Sequence, residues 1–129
     1  MRSAFIAGGA YFAIVFAVGF VLGTIRTIAL EPAVGPLAAV LLELPFMLAA
    51  SWIACGAVIR KLSLSPAIGP RAAMGSFAFA LLAAAEIILG IALGASLADL
   101  IDAWRAPPGA AGLFGQVLFA VFPLVRTRP

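Results

Sequence analysis

Between Arg2 and Arg26 the chain carries no charged side chain, and three later stretches are nearly as apolar, each bounded by basic residues, prolines or glycines. About twenty consecutive apolar residues cross the hydrocarbon core of a bilayer as a helix, and in lipid only helices or closed barrels satisfy their own backbone. The expected architecture is therefore an all-α, polytopic membrane four-helix bundle with short loops. Composition points the same way. The chain is 65% hydrophobic and 10% charged, against about 45–50% and about 25% in soluble domains, so a water-soluble fold could not hide its apolar surface.

The runs predict spans at residues 4–28, 36–59, 72–96 and 110–125, so that residues 1–129 form a single transmembrane domain. Glu31-Pro32 and Gly35-Pro36 are expected to break the first helix, and Arg60-Lys61 to close the second. Pro66, Gly69 and Pro70 should keep the following connection non-helical. The basic start resembles a signal peptide, but its apolar run is far longer than a signal h-region and reads as a retained span. LADLIDAWR, residues 97–105, puts Leu97, Leu100, Ile101 and Trp104 on one helical face and Asp99 and Asp102 on another. That pattern predicts a short interfacial helix with Trp104 at headgroup level. The last span is the shortest, and a re-entrant segment is its alternative.

Arg2, Arg60, Lys61, Arg71, Arg126 and Arg128 fall on one side of this topology, and Arg26 and Arg105 on the other. The excess of Lys and Arg on cytoplasmic loops then predicts that both termini are cytoplasmic. The same basic residues form no stripe that could track phosphates, so no nucleic acid is expected as a partner. With no histidine and a single cysteine, Cys55, an intrachain disulfide, a bis-histidine haem and a His-based zinc site are excluded. No metal site, cofactor or catalytic constellation is expected.

Four polar side chains do not belong in hydrocarbon, one in each span: Arg26, Glu43, Glu86 and Gln116. At 1.5 Å rise per residue they lie ~6, ~12, ~15 and ~9 Å inside the outer ends of their helices. Arg26 shares a face with Gly19 and Gly23, a GxxxG spacing, and Glu86 shares one with Gly90 and Gly94. Small-residue faces pack against other helices, so these four glycines are expected to be helix-packing positions and the polar groups to point into the bundle. Pro45, beside Glu43, removes a backbone donor and is expected to kink the second span. The expectation is an intramembrane polar cluster of Arg26, Glu43 and Glu86, with Gln116 as a neutral partner. One arginine cannot neutralise two carboxylates, so the second should hold a proton. The plainer alternatives are that Arg26 snorkels to the headgroups and Gln116 is interhelical glue. Tyr11, Thr24, Trp52 and Cys55 read as packing residues, while Ser51 could extend a polar path from Glu43.

The segments YFAIVFAVGFVLGTIR, ELPFML and AAAEIILG resemble those of small, functionally uncharacterised four-span inner-membrane proteins of proteobacteria, over nearly the whole chain. The resemblance implies a bacterial inner-membrane location and no activity. The leading expectation is a structural or accessory membrane subunit in a homo-oligomer or larger membrane complex, with the lipid bilayer as its surroundings. The alternative is an oligomeric proton-linked transporter or channel for a small solute, with Glu43 and Glu86 as the titrating groups.

Overall fold

Each apolar run folds as a helix, and the differences from expectation lie at the helix ends. The computed structural model describes residues 2–126; Arg128 lies outside the described residues. Among these the fold is all-α, with five helices. Helices α1 (Arg2–Val34), α2 (Pro36–Leu62) and α3 (Ile68–Ala92) are each long and apolar enough to cross a membrane. Helix α4 (Leu97–Arg105) is followed by α5 (Pro107–Val125). The axes of α4 and the Gly109–Val125 part of α5 meet at 87°, and the bent pair counts as a fourth candidate span.

Glu31 and Pro32 do not break α1. Over Arg26–Leu30 the helix widens into a π turn, in which the Glu31 amide reaches the Arg26 carbonyl five residues back. The wider turn opens the backbone where the Pro32 ring would press on the Ile28 carbonyl, and the helix continues to Val34. The chain reverses at Gly35, whose φ of +87° suits glycine alone. Pro36 then starts α2 at a position where its missing N–H is not needed. Pro45 lies inside α2, which remains one helix from Pro36 to Leu62.

Gly69 and Pro70 do not hold the next connection open. They occupy the first turn of α3, where backbone amides have no intrahelical acceptor, so the helix begins at Ile68, earlier than expected. It also ends earlier, at Ala92. Gly94 takes φ +102°, its amide bonds the Ile91 carbonyl at 3.0 Å, and the Ala95 amide bonds the Gly90 carbonyl at 2.9 Å. This pair of bonds is a Schellman stop, so Gly94 terminates the helix and, with open space around it, is not a packing position. Ser96 caps α4 reciprocally with Asp99.

Helix α1 packs against α2 and α3, and α5 packs against the same two, so the order around the bundle is α1, α2, α5, α3. The consecutive helices α2 and α3 are therefore diagonal. The buried core, built from Ala4, Ala7, Tyr11, Val15, Ala54, Cys55, Val58, Met74, Ala78, Leu82 and Phe119, gathers at the end where α1 begins and α5 finishes. Helices approach most closely at two glycines there. A Cβ on Gly8 would lie 2.8 Å from the Met74 carbonyl oxygen, and one on Gly75 would overlap the Ala120 carbonyl. The GxxxG pair plays no such part: a Cβ on Gly19 would meet only the Met47 side chain, and one on Gly23 only the Arg26 guanidinium of its own helix. Gly90 packs on the Leu100 side chain of α4 rather than on another long helix. Phe46, Ile53 and Ile88 are more than half exposed on the outside, as lipid-facing residues are.

Candidate functional site: a one-ended polar cavity

Beyond the packed core the four long helices part, leaving a cavity of about 740 Å³. Its floor is formed by buried residues from all four: Val15, Ser51, Leu82 and Phe119. Its far end reaches the exposed Ile28 and Leu93, with Trp104 of α4 beside them. From Val15 to Ile28 the wall is ~20 Å long at 1.5 Å per residue. Arg26, Glu43, Glu86 and Gln116 all line it, together with Gly19, Gly23, Phe16, Phe20, Leu44 and Met47.

The four polar residues form two pairs rather than one cluster. Arg26 Nε lies 2.7 Å from Glu43 Oε2, with the arginine side chain 29% exposed and the glutamate 15%. The Nε–H does not point along that line, so the contact is an ion pair without a well-formed hydrogen bond. Arg26 thus does not end in the headgroups alone; it turns to α2. On the opposite wall the Gln116 amide donates to Glu86 Oε1 at 2.5 Å. Glu86 has no ion-pair partner among the described residues. Each pair joins neighbouring helices, α1 to α2 and α3 to α5, and no polar contact among the described residues crosses between these two halves at the level of the pairs.

Below the cavity, polar bonds do cross. The Tyr11 hydroxyl on α1 donates to the Phe119 carbonyl of α5 at 2.7 Å, and the two rings stack with centroids 4.2 Å apart. Phe119 is four residues before Pro123, so its carbonyl is the acceptor that the proline leaves without a helical donor. Tyr11 supplies the missing bond from another helix, as neighbouring helices do for prolines in lipid.

Arg71, which sequence reasoning counts only as an orienting charge, is 3% exposed. Its guanidinium donates to the carbonyls of Ser65 at 3.0 Å, Pro123 at 3.1 Å, Leu64 at 3.4 Å and Arg126. It thereby ties the α2–α3 connection to the C-terminal end of α5, where unpaired carbonyls carry the negative end of the helix dipole. The Arg126 side chain lies across Gly56 and over the Trp52 ring, 4.5 Å from its centroid. Thr24 bonds backward to the Phe20 carbonyl at 2.7 Å, a local role. Ser51 marks the bottom of the polar lining, and the buried Cys55 lies in the core cluster.

Sequence reasoning finds the cavity's polar residues, because charges in apolar runs announce themselves. It misses the closed end. The signals there were an arginine at a helix start and a Phe119-to-Pro123 spacing, and neither names the partner that the fold brings to it. Comparison of the chain with known protein families, with curated proteins and with solved structures finds no match.

Proposed function

We propose that this chain is a multi-pass inner-membrane protein, with both termini cytoplasmic, that takes a small solute into its cavity and exchanges it by a proton-linked step. The observation that carries the reading is the cavity itself: a bundle serving only as a structural subunit gains nothing by leaving about 740 Å³ open between its helices, since dense packing is what holds membrane helices together. The volume falls within the range of small-molecule sites, and the lining has their character, largely apolar with a few convergent polar groups. Glu86, held by an amide and by no cation among the described residues, is the group that exchanges a proton when the solute enters. Glu43 is occupied by Arg26 and sets the charge of the opposite wall. The work is binding and exchange rather than catalysis, and a homo-oligomer is its natural setting.

The test is proteoliposomes enclosing a pH-sensitive dye, presented with organic cations, organic anions, neutral amphiphiles and inorganic ions in turn. At least one class is expected to drive an internal pH change that Glu86→Gln abolishes while helicity and elution volume are kept. If no class moves protons, the accessory-subunit reading takes its place.

A further inference from the structure

The lining of the cavity does not balance in charge. Among the described residues it contains two carboxyl groups, Glu43 and Glu86, and one cation, Arg26; its remaining polar side chains, Thr24, Thr27, Ser51, Trp104 and Gln116, are neutral. Arg26 is paired with Glu43 across the α1–α2 wall. That leaves the Glu86 carboxyl on the α3–α5 wall with one amide hydrogen bond, from Gln116 to Oε1. A single positive charge completes this arrangement, whereas an anion would have to take Arg26 from Glu43. The walls around these groups are apolar and aromatic, with Phe16, Phe20, Met47 and Phe119. Trp104 stands at the far end, and an aromatic face attracts a desolvated cation.

Resting on the reading of the cavity as a solute site, we infer that the solute is a lipophilic organic monocation, an ammonium carried on an apolar body. The ammonium pairs with the Glu86 carboxylate, whose geometry Gln116 holds. The apolar body lies on the aromatic and aliphatic wall below, toward Phe119. A charge-assisted hydrogen bond in a water-poor site is stronger than a neutral one, so the head group rather than the body sets the preference.

The experiment uses the full chain in phosphatidylcholine nanodiscs and three probes with the same phenylbutyl body: 4-phenylbutylamine, 4-phenylbutanol and 5-phenylpentanoate. Saturable binding over empty nanodiscs is read by equilibrium dialysis. The amine is expected to bind at least about tenfold more tightly than the alcohol, the scale of one charge-assisted bond. Glu86→Gln should shrink that preference to within about twofold. Equal binding of amine and alcohol to the native chain overturns the inference, as does a preference that survives Glu86→Gln; the first comparison needs no variant to fold. Tightest binding by the carboxylate also overturns it but leaves the cavity a solute site. Absence of saturable binding for all three overturns both this inference and the reading on which it rests.

Discussion

The Tyr11 hydroxyl bonds the one Phe119 carbonyl acceptor that Pro123 strips of its helical donor, so a residue near the start of the chain completes the backbone of the last helix. Removing only the hydroxyl isolates this effect. Tyr11→Phe keeps the stacked ring and is expected to cost about 1–3 kcal/mol, the penalty of an unsatisfied buried carbonyl. Pro123→Ala restores the backbone donor, so adding Tyr11→Phe to it should cost much less than it does alone. Denaturation in mixed micelles over the four-member mutant cycle measures the difference.

Arg71 holds four carbonyls with one planar group. Arg71→Ala strands these acceptors and is expected to lose about 3 kcal/mol or more. Arg71→Lys keeps the charge but not the fork that reaches the connection and α5 together, and should recover less than half of that loss. Limited proteolysis at the C-terminal end should rise in both variants, and more in the alanine.

Two glycine substitutions separate sequence pattern from packing. At Gly75 an added methyl runs into the Ala120 carbonyl, so Gly75→Ala should destabilise by about 1–3 kcal/mol. At Gly23 it would meet only the Arg26 Nη2 atom at 3.5 Å, so Gly23→Ala should be neutral or stabilising by up to about 1 kcal/mol through helix propensity. Thermal midpoints in one detergent rank the two; the reverse order would restore the GxxxG face as a packing surface.

The Arg26–Glu43 pair is half-sheltered, and either partner left alone is worse placed than both or neither. Arg26→Met and Glu43→Leu are each expected to cost about 1–3 kcal/mol. The double variant should cost less than their sum by about 1 kcal/mol. Additive losses would show that the two side chains do not act on one another.

Asp99 lies outside the long helices, at the start of α4. The Ser96 backbone amide, and then the Ser96 side chain, hold its carboxyl below the ordinary aspartate value of 3.8. A lowered folded value means the cap is fully present above pH 3.8 and is lost as pH falls through the lower folded value. Protection of the Ser96 and Asp99 amides, measured as exchange relative to the intrinsic rate at each pH, should therefore hold from neutral pH down to 3.8 and fall only in stronger acid. Ser96→Ala should move that transition upward.

The fold class was legible because a bilayer admits so few structures: runs such as residues 3–25 have no other way to satisfy their backbone in lipid. Arg26, Glu43, Glu86 and Gln116 were legible for the same reason, since each is an exception within such a run. Their division into two pairs was not, because spacing along a helix gives a residue's face but not the neighbour opposite. Helix ends were misread where prolines fall in first turns, as at Pro70, or beside a widened turn, as at Pro32. Gly19 and Gly23 had the spacing of a packing motif, but they line the cavity, where Gly19 meets only the flexible Met47 side chain and Gly23 only Arg26 of its own helix. Gly8 and Gly75 lie where the bundle is tight. Which glycines touch depends on where the helices converge, and that is set by the whole bundle.

Among the described residues the α1–α2 and α3–α5 halves are each stitched by their own polar pair and share a side-chain hydrogen bond only beneath the floor, so the two ends of the bundle resist separation unequally. Parting their far tips disturbs side-chain packing alone, whereas parting their near ends breaks the Tyr11 bond to α5 and lifts the Arg126 guanidinium off the Trp52 ring of α2. The mechanical compliance of the molecule is thus lopsided.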